Sequence, residues 1–398
     1  MKLEWVIVGG GIHGVHMAAK LVARNFAKVE DIRIIDPGPR LLAGWRERTT
    51  ATGMEFLRSA SVHHLDVRPW SLEEFAGVRN TRRKPNDGLF TAPKARPSLA
   101  LFNAHCDHVI DTYELDKVHI RDYVTSCRAD CDGVLLTTES GSTLHARNVV
   151  LAIGSSERPL RPAWGNPSDI RIKHIFDKDF ESWISSTPQR IAVIGGGISA
   201  GQVALRLVND GHQVHIISRH DVRQHQFDSD SGWIGPRYMR RFSREKNPDK
   251  RRDIITKARH RGSMPPDVKS AIRRGLEHHT LIWKKSEIER IEDDATNMIL
   301  KMIDGSELKV DRIALATGFE SKRPGGTMVD DLIASASLPC ASCGYPIVSP
   351  NLHWHPRIFV SGPLAELEIG PVARNIVGAQ RASERILKAA LSDYRIAG

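Results

Sequence analysis

Two short glycine-rich stretches carry the residues best suited to chemistry. Gly9, Gly11 and Gly14 stand at G-x-G-x-x-G spacing, and Gly195, Gly197 and Ala200 repeat it as G-x-G-x-x-A. In such a stretch the first glycine permits a tight turn. The second lets the backbone approach a pyrophosphate, and the small third residue lets the following helix pack on the strand. The phosphates then meet free N–H groups at the positive end of a helix. Asp36 ends the apolar run after the first loop, where a carboxylate accepts hydrogen bonds from ribose hydroxyls. The matching position after the second loop is Ser218, followed by Arg219. Removing the carboxylate removes repulsion against a 2′-phosphate, and an arginine supplies a bidentate partner for it. The second loop therefore predicts NADPH over NADH, with Arg219 as the main determinant and His220 or Arg223 assisting. An ordinary surface arginine would give the same pattern.

Other reactive side chains are less organised. Cys340-Ala-Ser-Cys343 has the spacing of a redox-active dithiol, but it follows both glycine loops and adjoins neither. His353-x-His355 follows Cys343 too closely for a zinc finger, and its own spacing is too short. No metal is predicted. There is no Ser-His-Asp or paired-carboxylate signature.

The elements that must position the loops repeat. EWVIVGGGIHGVHMAAKLVA (4–23) and RIAVIGGGISAGQVALRLVN (190–209) each give a β-branched run, glycines and an apolar pattern at helical spacing. IRIID (32–36) and QVHIIS (213–218) follow as second strands. This is the opening βαβ of a dinucleotide-binding domain. GVLLTTESGSTLHARNVVLAIGS (133–155) and MILKMIDGSELKVDRIALATGF (298–319) each read as a hairpin followed by an apolar strand ending in glycine. The predicted fold class is α/β with two Rossmann-like dinucleotide-binding domains. The first is discontinuous, 1–159 and 324–398, and the second, 160–323, is inserted in it. Pro159, Pro162 and Pro167 mark the way in and SKRPGG (321–326) the way back. RIFVSG (357–362) and a helix over about 371–390 return to the first domain. The region 221–280, rich in Arg, Gly and Pro, reads as an insertion. It is either a cover over the cofactor, a substrate or subunit surface, or a plain surface excursion.

Composition narrows the classes. With 40% hydrophobic and 26% charged residues the chain is an ordinary globular one. No apolar run approaches the roughly 18 residues of a membrane span. Only Lys2 precedes the first apolar run, which leads into a glycine turn and reads as a strand. A cytoplasmic location with reduced cysteines is expected. The net charge of +10 gathers locally at Arg79–Lys84 and Arg237–Arg261. Neither cluster has the interleaved aromatics of a single-strand binder, so a basic surface around a phosphate-bearing cofactor is preferred to nucleic-acid binding.

Asp311-x-x-x-Leu315-Ala316-Thr317-Gly318-Phe319 resembles the D-x-x-x-L-A-T-G-Y/F motif of flavin-dependent N-hydroxylating monooxygenases, relatives of the ornithine and lysine N-hydroxylases. The stretch from Trp45 through Met54 to Phe75 resembles that family's segment from a Trp through a Met to F-L-K-D-L-V-T and S-F-L-N-Y-L. Arg58 stands at its lysine position. Pro97-Ser98-x-x-x-Phe102-x-x-His105 is similar to its P-x-R-x-x-F-x-x-Y. The resemblance implies FAD in the first domain and NADPH in the second. It also implies O2 as co-substrate, and oxygen transfer through a flavin hydroperoxide to a nitrogen or other nucleophilic atom of a small molecule.

Trp45, Met54, Gly154, Thr317, Gly318 and Gly370 join the loop residues as cofactor contacts. Arg58, His63 and His64 are catalytic candidates, each equally consistent with packing. Pro371 starts the last helix, whose N-terminus is expected at the flavin. Arg58 in place of lysine, and S-A-S-V-H-H in place of D-L-V-T, depart from the pattern that binds ornithine or lysine. An NADPH-dependent disulfide or quinone reductase and a non-catalytic nucleotide sensor stand as alternatives, and a homo-oligomer is compatible with each.

Overall fold

The computed structural model describes residues 2–79, 88–130, 132–155, 158–180, 187–293 and 297–396. The basic cluster beginning at Arg79 lies outside them from residue 80 onward. Two parallel sheets dominate. The first runs in the order His353–His355, Ile358–Val360, Thr143–Leu151, Leu3–Val8, Ile32–Asp36, His119–Arg121. All neighbours are parallel except the first pair. Its central strands are β-branched and buried on both faces, as a helix-covered parallel sheet requires. Trp5 and Phe359 meet across it at 5.6 Å between ring centroids. The opening helix Ile12–Ala23 packs along the closing helix Ile376–Ile396.

The second sheet is parallel throughout, in the order Leu281–Lys285, Gln213–Ser218, Arg190–Ile194, Arg312–Leu315, Ile172–His174. In both sheets the strand before the glycine loop lies between strands that run to either side. The loop therefore opens at a topological switch point, where ligands of α/β sheets bind.

The first sheet continues into an antiparallel meander of Val124–Ala129, Val134–Thr138 and Thr143–Leu151, while beside the second sheet Ile288–Asp293, Met298–Met302 and Glu307–Val310 form a separate meander. The sequence predicted two separate strands after the Ser-Gly turn of 133–155. The structure has one, Thr143–Leu151, because Ala146 pairs with both Val134 and Leu3 and the chain passes from meander to sheet without a turn. In the second meander Asp311 breaks the strand. Its carboxylate accepts from the backbone N–H, Nε and Nη2 of Arg190 at 2.7–3.2 Å.

The two chain crossings between the sheets lie side by side. Pro159 and Phe319 form an antiparallel bridge, with Leu160 N–H donating to Gly318 O at 2.9 Å and Glu320 N–H to Arg158 O at 3.0 Å. Within 221–280, the helix Pro266–Glu277 packs on Ile198–Asn209 and Leu281–Lys285 and serves as an ordinary crossover. That narrows the sequence expectation of an insertion. The helices Pro236–Arg244 and Pro248–Ala258 are the true excursion, and they reach the C-terminal segment of the first sheet. Arginines tie the two halves elsewhere. Arg206 Nη1 donates to the carbonyls of Thr50 and Ala51 at 3.1 Å, and buried Arg96 meets Asp267 at 3.0 Å. Among the described residues no helix is long and apolar enough to cross a membrane.

Candidate functional site

The first loop is shaped by contacts that forbid a side chain. Gly9 has φ +110°, and a Cβ there would stand 2.7 Å from Ala152 O. A Cβ on Gly14 would stand 1.8 Å from Gly9 O, so the helix packs directly on the turn. Gly11 differs, because a Cβ there meets nothing within 4 Å. Gly11 caps the helix Ile12–Ala23 without any side-chain acceptor. The helix Leu99–Thr112, by contrast, is capped by a side chain: Ser98 Oγ accepts from Leu101 N–H. The open face and uncapped amides of the first loop therefore suit a pyrophosphate.

Asp36 also organises the loop itself. Its carboxylate accepts from Gly10 N–H at 2.7 Å and Gly38 N–H at 2.8 Å. Each oxygen keeps a further lone pair for a ribose hydroxyl. Inside the loop, half-buried His13 shares a hydrogen bond of 2.8 Å with Ser361 Oγ. Burial holds its pKa down to about 4, opposed by the backbone at Arg374 and Asn375. His13 thus brings the N-terminus of the closing helix beside the first loop. Gly154 is open to within 4 Å at the end of the neighbouring strand.

The second loop repeats the path. Gly195 has φ +144°, and a Cβ there would meet Ala316 O at 2.5 Å. Ala200 is fully buried at the third position. Gly197 caps Ile198–Asn209, again without a side-chain acceptor. Ser218 is buried and accepts from His220 N–H at 3.4 Å, while Arg219 is exposed beside it. The His220 ring packs against Gly196 and Gly262, which places the 260–264 segment over the loop.

Other predicted contacts serve the framework. Trp45 Nε1 donates to Asn103 at 3.1 Å and its ring lies 5.5 Å from Phe102. Met54 packs against the core of the first sheet. The Thr317 hydroxyl donates to Leu160 O, and Gly318 O accepts from Leu160 N–H and His174 Nε2, so both residues knit the paired crossings. Gly370 faces Met239 and Phe242 of the excursion. The catalytic candidates are similarly engaged. Arg58 donates to the carbonyls of His225, Gln226 and Phe227 and to Ser263 Oγ at 2.7–3.0 Å, clamping the loop that leads into the excursion. His64 is buried edge-on to His105 at 5.2 Å and bonded to Pro69 O. His63 is half-buried, and burial lowers its pKa. His63 and His64 adjoin in the chain, while Arg58 donates its hydrogen bonds to 225–227 and Ser263.

Sequence reasoning missed one cluster. Arg252, Arg259 and Arg374 converge on the carboxylate of Glu366, which is 1% exposed. Burial works against the charge on Glu366, but Arg259, Arg374 and Arg252 hold its carboxyl below the usual range. The only trace in the sequence is the seven-residue spacing of Arg252 and Arg259, and nothing local announces Glu366 as their partner. Among the described residues no group of three or more His, Cys, Asp or Glu side chains is placed to hold a metal.

Comparison with known proteins agrees with this geometry. The chain is similar in fold to the FAD-bound cadaverine monooxygenase of Erwinia amylovora (TM-score 0.75, 15% identity, covering 98% of this chain and 94% of that one). It is similar also to the L-lysine 6-monooxygenase of Pseudomonas syringae (0.74, 18%, 98% and 99%). The bacillithiol disulfide reductase of Bacillus cereus shares the fold at 0.61 and 16% identity, covering 99% and 100%. No curated protein matches the sequence. Residues 6–262, which span both glycine loops, match the family model for pyridine nucleotide-disulphide oxidoreductases, and to that family the chain belongs.

Proposed function

We propose that this oxidoreductase is an FAD- and NADPH-dependent monooxygenase that hydroxylates a nucleophilic atom, nitrogen foremost, of a small molecule with O2 as co-substrate. The observation that carries the reading is the contrast at the second strands. Asp36 closes the first loop with a carboxylate, and Ser218-Arg219 closes the second with a hydroxyl and a cation. The first favours the ribose of FAD and the second the 2′-phosphate of NADPH. We assign the FAD unit to 1–159 with 324–398 and the NADPH unit to 160–323.

Bound FAD would accept hydride from NADPH and supply the chemistry with O2. The chain's own residues bind and shield. The uncapped first turns at Gly11 and Gly197 hold the phosphates. Asp36 orients the ribose, and Arg219 selects the dinucleotide. The excursion packs Met239 and Phe242 over Gly370, which excludes water from that edge of the crevice. The resemblance at Asp311–Phe319 and the likeness to two N-hydroxylating monooxygenases support oxygen transfer.

The family itself, and the likeness to a bacillithiol disulfide reductase, favour a second reading: an NADPH-dependent disulfide or quinone reductase. Oxygen uptake separates the two. The purified protein is followed for NADPH and NADH oxidation in air, with peroxide and O2 measured, against an amine panel. NADPH oxidation that consumes O2 and yields a hydroxylamine supports the monooxygenase. Oxidation that requires a disulfide or quinone and leaves O2 untouched overturns it.

A further inference from the structure

The turn bearing Cys340 and Cys343 is built into the contact between the excursion and the C-terminal segment. Cys340 and Pro346 form an antiparallel bridge. Ala341 N–H donates to Tyr345 O at 2.9 Å, and Gly344 N–H to Ala341 O at 2.8 Å. These bonds fold both cysteines into one tight loop.

The loop is tied outward to the helix Pro248–Ala258. Ser342 donates from its N–H and its hydroxyl to the Asp249 carboxylate at 3.2 and 2.8 Å. One turn further along that helix, Arg252 stacks over the Tyr345 ring at 4.0 Å and donates to Glu366 at 2.9 Å. The Tyr345 hydroxyl accepts from Arg374 at 3.1 Å, and Arg374 also holds Glu366. The cysteine turn therefore sits on the cluster that joins the excursion to the first sheet.

The two thiols differ from the others described. Cys106 and Cys127 are buried, and burial pushes the Cys127 thiol up to about 12. Cys343 is exposed and Cys340 half-buried, and both are free. The Cys343 sulfur lies within electrostatic reach of Arg252. Nε and Nη2 of Arg252 are buried and have no hydrogen-bond partner among the described residues. An anionic sulfur at Cys343 would answer them. Exposure and an adjacent cation are the conditions of a reactive cysteine, and a second thiol three residues away is the usual resolving group.

We propose that Cys340 and Cys343 form a peroxide-sensitive dithiol whose oxidation loosens the helix Pro248–Ala258 from the C-terminal segment. The oxidant is hydrogen peroxide. The Cys343 thiolate attacks one peroxide oxygen and the O–O bond breaks. This leaves a sulfenic acid and a hydroxide that takes up a proton. The Cys340 sulfur then attacks the Cys343 sulfur, and the sulfenic oxygen leaves as water with the Cys340 proton. Two thiols and one peroxide give one disulfide and two waters, and two electrons pass from sulfur to oxygen. The new bond draws Cys343 away from Arg252 and Ser342 away from Asp249.

The test adds hydrogen peroxide to the full-length protein without NADPH, so that it is independent of the reaction proposed above. Peptide mass spectrometry locates the bond, and amide exchange follows residues 248–258. The expected result is a Cys340–Cys343 disulfide with about tenfold faster exchange in that helix, the loss of one charge-assisted hydrogen bond, reversed by dithiothreitol. In Cys340→Ser the sulfenic acid at Cys343 should be trapped by dimedone with no disulfide. Ser342→Ala should speed exchange without peroxide. Unreacted Cys343, or a Cys340–Cys343 disulfide that leaves exchange unchanged, would each overturn the proposal.

Discussion

The two glycine loops follow one backbone path and part company at two places. The first needs glycine at its third position, because a Cβ on Gly14 would run into Gly9 O. The second carries Ala200, fully buried, at the same place. The first is pinned by a carboxylate that also holds two of its own amides, whereas the second has a hydroxyl with an exposed arginine beside it. On the proposed reading, the shared turn places the pyrophosphate and the end of the next strand selects the dinucleotide. Asp36 is part of its loop's architecture, whereas Arg219 stands exposed at the end of its strand.

The strongest way to break this comparison is at the third position. Gly14→Ala should cost more than about 3 kcal/mol through backbone overlap and yield protein without flavin, read as the flavin-to-protein absorbance ratio. Ala200→Gly should cost only about 1 kcal/mol, the propensity difference in a helix, and keep flavin. Next in size, Arg219→Ala should raise the KM for NADPH about 10- to 100-fold, the loss of charge-assisted bonds, and leave that for NADH unchanged. An unaltered cofactor preference would remove Arg219 from the site. Asp36→Asn should weaken FAD about tenfold, because an amide cannot accept from both Gly10 and Gly38, a change titration calorimetry would detect.

Acid tests the comparison in another way. Burial holds His13 and His16 down to about 4 and His105 to about 3, all in the first unit. His174, the last residue of an edge strand of the second sheet, is held at about 4. Their folded values lie below the unfolded value of about 6.5, so the unfolded chain takes protons first. Stability is complete above that value and falls by about 1.4 kcal/mol per pH unit for each histidine as the pH drops, until that histidine's folded value is reached. Flavin release should therefore precede the loss of the second sheet in an acid titration followed by fluorescence and circular dichroism.

The repeated βαβ units were legible because tight turns and buried strands leave local marks. Gly9, Gly14 and Gly195 are where they are for contacts within a few residues or with the adjacent strand. Asp311 was legible as a motif but not in its role: it anchors Arg190 at the far end of the strand from the glycine loop. Arg58 was legible as a candidate but its partners were not, since the carbonyls it bonds lie more than 160 residues away. Glu366 and its three arginines come from segments whose approach depends on the whole fold, and no local pattern encodes that.

The paired crossings at Pro159 and Phe319 limit how the halves can move. One strand between two bodies is a tether that swivels in every direction. Two strands bonded edge to edge form a flat ribbon, which flexes readily about one axis and resists twist about the others. At these crossings the pairing therefore favours one opening angle over twist, and the arginine ties at Arg206 and Arg96 add to that restraint.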